Sequence, residues 1–249
     1  MLLFANNPAS ALYQAASASG RTLSPWLLPF LLRDRYLQFC TALCLVGLFC
    51  DAPFSDALTP CVLLRIGRKR WMLGQFLYIA LASLLFFAFL WTAMLTRCLP
   101  VLRLTGSWGP CLTMLAHDNP FFGSPFCAEL ILGRSAPAAA LETFLMAWLT
   151  GCFLGALLTL LNPSLRQETG ALTAGAICVL DFVLYACPDQ IPALFWLSPV
   201  CWMNPQQYTG PDHWKLPIRA GLLALLFVLI CLLRIQRLGR RQIETIHSL

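Results

Sequence analysis

Residues 71–95 read WMLGQFLYIALASLLFFAFLWTAML, a run without one charged side chain. A helix rises about 1.5 Å per residue, so roughly 17 to 25 apolar residues carry it across the hydrocarbon layer of a bilayer. This stretch meets that requirement. Working outward from it, residues 141–161, 171–187 and 216–233 are apolar runs of the same kind, and residues 36–54 form a shorter fifth. Each is bounded by polar or proline-containing sequence, which predicts an all-α, polytopic membrane protein with five transmembrane helices.

Composition points the same way. Of the 249 residues, 59% are hydrophobic and 11% charged, and the mean hydropathy is +0.71. A water-soluble fold of this size would lack polar surface. The stretches between the apolar runs are too short or too apolar to fold separately, and no repeat of motif or spacing is evident, so residues 1–249 read as a single membrane domain. Residues 1–35 precede the first run as an external segment, and residues 36–249 supply the helical bundle.

The start of the chain lacks the positively charged region and apolar core of a secretory signal. After Phe4 come Asn6, Asn7 and Pro8, then an Ala/Ser-rich stretch ending at Gly20, which reads as a loop or weak surface helix. Residues 26–32 are apolar but too short to span and are interrupted by Pro29, which places them at the membrane interface.

Positive charge sets orientation, because cytoplasmic segments retain Lys and Arg. Arg65, Arg68, Lys69, Arg70, Arg166, Arg234, Arg237, Arg240 and Arg241 crowd into three short segments on one side. Arg21, Arg33, Arg35, Arg97, Arg103, Arg134, Lys215 and Arg219 are spread over about twice the length on the other. The denser side is read as cytoplasmic, so the amino terminus lies outside and the carboxyl terminus inside. Basic residues beside apolar runs serve topology and anionic headgroups, and the net charge of +6 is therefore not read as a nucleic-acid footprint.

Enzyme motifs are missing. The three histidines, His117, His213 and His247, fall in separate segments, with no H-E-x-x-H and no G-x-S-x-G. The two lysines, Lys69 and Lys215, do not follow a phosphate-cradling glycine loop, so no P-loop is present. No metal or other cofactor is expected on this chain. Its 12 cysteines contain no C-x-x-C pair and read mostly as small apolar packing residues. Cys98, Cys111, Cys127, Cys187 and Cys201 fall in the proposed outer loops, where an oxidising compartment would allow a bridge.

The segment between the first two runs, residues 51–80, reads DAPFSDALTPCVLLRIGRKRWMLGQFLYIA. Thr59 is placed to cap a helix over residues 60–66, with Pro60 at its first position, where a missing N–H is no loss. Cys61, Val62, Leu63 and Leu64 make this helix apolar, while Arg65, Arg68, Lys69 and Arg70 hold its end at cytoplasmic headgroups. An anchoring loop and a partner-docking element both fit that pattern.

The run APF, a short helix, R-x-G-R-x-R-W and then GQ-x-x-Y-I at the start of a long apolar run resemble the small permeases of bacterial ABC exporters, the ABC-2 type transporter permease family. Residues 191–203, IPALFWLSPVCWM, are similar to that family's re-entrant external segment before the last span. The likeness covers about residues 36–249. It implies a permease domain in the bacterial cell membrane. Pro60, Leu64, Arg65, Arg68, Lys69 and Arg70 would form a cytoplasmic coupling helix that docks on a separate ATP-binding subunit, and that subunit would hold ATP and Mg. A second permease chain, identical or different, would complete the assembly. Asp56 is an approximate match to the acidic residue often found ahead of the coupling helix. The family has six spans and this chain offers five, so the resemblance implies that residues 1–35 are the loop that would follow a missing first helix.

Within the apolar runs, Gly151 and Gly155 make a G-x-x-x-G step for close helix packing, inside one subunit or across a dimer. Asp181 is costly in lipid and should face a cavity or partner, with a structural hydrogen bond, nearness to the interface and a substrate path all open to it. Trp196, Trp202, Tyr208 and Trp214 suit the headgroup level. Glu142 and Arg219 lie near run ends, where long side chains snorkel. An integral-membrane accessory protein without transport would need the same spans and the same basic loop.

Overall fold

The computed structural model describes residues 8–54, 57–118, 130–162, 167–186, 198–205 and 214–247. Among the described residues, nine helices order the chain: α1 (Pro8–Ser19), α2 (Leu28–Arg33), α3 (Arg35–Phe49), α4 (Thr59–Ile66), α5 (Arg68–Cys98), α6 (Gly109–Asp118), α7 (Ala136–Leu161), α8 (Gln167–Ala186) and α9 (Lys215–His247). Short 3-10 turns follow at Leu99–Val101 and Cys201–Met203. Extended structure among the described residues is confined to one bridge, Leu23 with Leu102.

Among the described residues, three helices are long and apolar enough to cross a membrane: Arg68–Val101, Ala136–Leu161 and Lys215–Arg237. Two more apolar helices are shorter, α3 and the Gly170–Val183 part of α8. The five-helix expectation therefore holds at this level for three helices. The reason is local. Asp34 starts α3 by accepting hydrogen bonds from the backbone N–H groups of Tyr36 and Leu37, and the chain turns after Phe49. The resulting 15 residues rise about 22 Å, short of a hydrocarbon core of about 30 Å.

The centre of the bundle is α7. Its inner surface is built from small residues, with Ala139, Ala140, Ala147, Gly151, Gly155 and Ala156 all buried, so neighbours approach its backbone closely. α2, α3, α5, α8 and α9 all pack on it. Its buried hydroxyls are satisfied within the helix: Thr143 donates to the Ala139 carbonyl at 2.8 Å and Thr150 to that of Met146 at 2.9 Å. Trp148 reaches across to donate its indole N–H to the Ala80 carbonyl of α5 at 2.8 Å.

The rim is inverted relative to a water-soluble protein. Along α5, Leu73, Leu77, Leu81, Leu85 and Phe89 are exposed at four-residue steps, while Met72, Phe76, Ile79, Ser83 and Phe87 face inward. On α9, Leu225, Val228, Leu229 and Leu232 are exposed as well. Water does not tolerate apolar stripes of this length, and lipid does.

The amino-terminal segment is more structured than its composition suggests. α1 packs against α5 and α6, with Leu12 and Ala16 fully buried. The interruption expected at Pro29 is corrected: Pro29 stands in the first turn of α2, where it starts the helix instead of breaking it, and Leu28 to Leu32 join the core. Residues 20–27 are braided with the segment after α5. The Leu23 N–H donates to the Val101 carbonyl at 2.9 Å, and the Arg103 N–H returns to the Leu23 carbonyl at 2.8 Å. Trp26 donates to Thr105, Trp91 to Pro25 and Trp108 to Arg134, each through its indole N–H to a carbonyl. Gly109 has φ +79°, and a Cβ there would lie 3.3 Å from the Ser24 nitrogen and the Thr22 oxygen. These contacts tie off one end of the bundle, and α4 stands at the other end of α5.

Candidate functional site

The helix expected over residues 60–66 is present as α4 and begins one residue earlier. Leu58 occupies its N-cap position without a side-chain cap, and Thr59 opens the helix, so the capping role assigned to Thr59 is corrected. None of its residues is buried. Leu58 is 66% exposed and Leu64 89%, as much as an isolated helix would leave them. Arg65, Arg68, Lys69 and Arg70 are exposed too. Pro60, Leu64 and Arg65 thus lie on α4, Arg68, Lys69 and Arg70 open α5 just past Gly67, and Asp56 lies outside the described residues.

Two joints hold α4 to the bundle. At its end, Gly67 has φ +80° and ψ 152°, a conformation open to glycine and strained for other residues, and its N–H caps α4 on the Leu63 carbonyl at 3.0 Å. From the Gly67 corner α5 departs in a new direction. Ahead of α4, the turn at residues 50–54 is gripped from both sides. Asn162, just past α7, donates its amide to the Cys50 carbonyl at 2.7 Å and to the Ala52 carbonyl at 2.5 Å. Gln75 of α5 accepts from the Phe54 N–H at 3.0 Å and donates to the Phe54 carbonyl at 3.3 Å. α8 closes over this turn through Gly170, where a Cβ would fall 1.9 Å from the Asn162 side-chain oxygen. Sequence reasoning missed Gly67, Gln75 and Asn162. The glycine within R-x-G-R was a usable signal for the corner, whereas nothing in the sequence names the carbonyls that Asn162 and Gln75 meet.

Gly151 and Gly155 are seated inside the chain. A Cβ on Gly151 would lie 3.0 Å from Ser83 of α5, and one on Gly155 would lie 2.5 Å from the Ile79 Cγ2 and 3.0 Å from a Phe49 ring carbon. The step therefore brings α7 against α5 and α3.

Asp181 faces a small cleft between α3, α8 and the 198–205 turn. It is 4% exposed, and among the described residues only the Val200 backbone N–H approaches its carboxylate, without closing a full hydrogen bond. Arg35, Gln38, Phe39, Cys178, Phe182, Val200 and Cys201 line the cleft with it, around an interior of about 10 Å³. Gln38 pins the turn by donating to the Val200 carbonyl at 2.5 Å, and the Cys201 thiol donates to the Asp181 carbonyl at 3.6 Å. At the mouth, the Arg35 guanidinium lies 4.9 Å from the centre of the Tyr36 ring and 5.9 Å from that of Phe182.

Other expectations are corrected here. Arg219 does not snorkel: it is 2% exposed and stacks 5.8 Å over the Trp202 ring, because the 198–205 turn folds against the start of α9. Trp202 is consequently buried inside the bundle, whereas Trp214 is exposed, and Trp196 and Tyr208 lie outside the described residues. Glu142 pairs with Arg134 at 3.4 Å. Cys98, Cys111 and Cys201 are free, buried thiols, while Cys127 and Cys187 lie outside the described residues. Burial pushes the Cys111 thiol above its ordinary range and keeps it protonated and unreactive. Residues 191–197 of the re-entrant segment are outside the described residues, and its remainder, residues 198–203, ends in the buried 3-10 turn Cys201–Met203. Among the described residues, no cluster of His, Cys, Asp or Glu is suited to a metal ion.

No protein-family model, curated protein or solved structure matches this chain.

Proposed function

We propose that this chain is the membrane-spanning permease subunit of an ABC-type exporter, with α4 as the element that docks on a separate ATP-binding subunit. The observation that carries this reading is the protruding helix itself. An eight-residue helix with exposed leucines and a basic end, held between apolar helices by a glycine corner and a double amide clamp, suits a mechanical contact. A flexible loop would absorb such a force. In this reading the chain also crosses the bilayer through α8 and through α3 extended by the turn at residues 50–54, which gives five spans with the amino terminus outside and the carboxyl terminus in the cytoplasm of a bacterial cell. A second permease chain and two ATPase subunits complete the assembly, and ATP and Mg reside on those subunits.

Mechanistically, closure of the ATPase pair pushes on α4. Gly67 passes that movement to α5, and the turn at residues 50–54 passes it through Asn162 to the end of α7, so helices on both sides of the bundle move as bodies. The same exposed helix supports a second reading, an integral-membrane accessory protein that grips a cytosolic partner without transport.

The test is co-expression with whichever ATP-binding protein a search of the neighbouring genes turns up. It should copurify with the wild type and be lost when Arg65, Arg68 and Arg70 become Glu. Unchanged capture by that variant removes the docking assignment. Capture without substrate-stimulated ATPase activity selects the accessory reading. Labelling of the exposed Cys61 by an impermeant thiol reagent on intact cells would place α4 outside and exclude both.

A further inference from the structure

We propose that the Asp181 cleft binds a small zwitterion, taking a primary ammonium on the Asp181 carboxylate and the linked anionic group on Arg35. A carboxylate removed from solvent and approached only by the Val200 N–H among the described residues is costly, and a cationic donor with several N–H groups answers that deficit. The cleft interior, about 10 Å³, has room for about one water molecule. An –NH3+ group is of that size. A trimethylammonium is not, so the depth of the cleft selects against methylation.

Charge at the mouth decides the rest of the ligand. No ion pair joins Arg35 to Asp181, and the guanidinium stays over Tyr36 and Phe182, donating to the Tyr36 hydroxyl at 3.0 Å. A bare cation would be repelled as it passed Arg35. A ligand with its own negative group is held there instead, because the guanidinium keeps further N–H donors for a phosphate or carboxylate. Arg219, the other buried cation nearby, stacks on Trp202 and does not line the cleft.

Location narrows the source. Arg35 is the first residue of α3, and Asp181 lies five residues before the end of α8, about 7.5 Å along the axis. Both stand close to the level of headgroups at one face of the bilayer. Two sources offer the required chemistry: an aminophospholipid headgroup and a free amino phosphate. The proposal rests on the chain's residence in a membrane and is independent of any ATPase contact.

The experiment uses the full chain, purified in detergent and stripped of lipid, with native mass spectrometry as the readout. Phosphatidylethanolamine, its N-methyl derivative and phosphatidylcholine with matched acyl chains are offered together. The wild type should retain ethanolamine lipid about tenfold over choline lipid, with the N-methyl form between them. Asp181→Asn should erase that preference, and Arg35→Gln should weaken both headgroups alike. Soluble phosphoethanolamine, tested against phosphocholine, separates the sources: displacement of lipid by the first and not the second assigns the site to a free solute, and no displacement assigns it to a lipid. Equal retention of the three lipids by the wild type, together with equal behaviour of the two solutes, overturns the proposal. That comparison needs no variant, so it decides even if Asp181→Asn fails to fold. A preference that persists in folded Asp181→Asn overturns it as well.

Discussion

α7 and α4 are both helices of apolar residues, yet they occupy opposite situations. α7 presents glycine, alanine and threonine to neighbours on nearly every side, and its hydroxyls are satisfied on its own carbonyls. α4 presents leucine, valine and arginine to open space and packs on α5 alone among the larger contacts. In a bilayer, apolarity does not bring helices together, because lipid is as apolar as leucine; small residues and close backbone approach do. The difference teaches that the bundle is held where side chains are smallest and is open to partners where they are largest.

The most damaging way to break that contrast is to put bulk into α7. Gly155→Leu drives a side chain into Ile79 and Phe49 and should cost about 3 kcal/mol, seen as a lower unfolding temperature in detergent and loss of the monodisperse peak. Wild-type behaviour would mean that α7 is not the centre. Asn162→Leu removes both donors from the turn at residues 50–54 and should cost about 2 kcal/mol by the same measurement. Gly67→Ala keeps the core and strains the corner by about 1 kcal/mol, so proteolysis near residues 57–67 should quicken while the global transition barely moves. At the small end, Leu64→Asp should change stability by less than about 0.5 kcal/mol, since the side chain is exposed. On the proposed docking role it should nevertheless abolish capture of an ATP-binding partner. A large stability loss there would show that α4 is packed in the molecule after all.

Much of the bundle was legible because the signal was local. The lengths of the runs that became α5, α7 and α9 can be counted along the chain, and G-x-x-x-G announces close packing without naming the partner. The shortness of α3 was less visible, since residues 50–54 continue the apolar run while the turn clamped by Asn162 and Gln75 ends the helix. Asp181 stood out as a charge in an apolar run. Its cleft did not, because Gln38 and Val200 meet across 162 residues. Arg219 was misread for the same reason: the side chain that covers it, Trp202, belongs to a turn whose fold no local pattern gives.

Buried Arg219 has a bearing on biogenesis. Released into lipid as a lone segment, α9 would carry an unsolvated guanidinium near its leading edge, a penalty of about 2.5 to 3.5 kcal/mol at mid-membrane that eases toward the interface. The turn bearing Trp202 leaves the ribosome before α9, so the receptor for that arginine is made first. Insertion of the final helix is thereby coupled to completion of the segment before it, and a defect at residues 198–205 should surface as a failure to integrate α9.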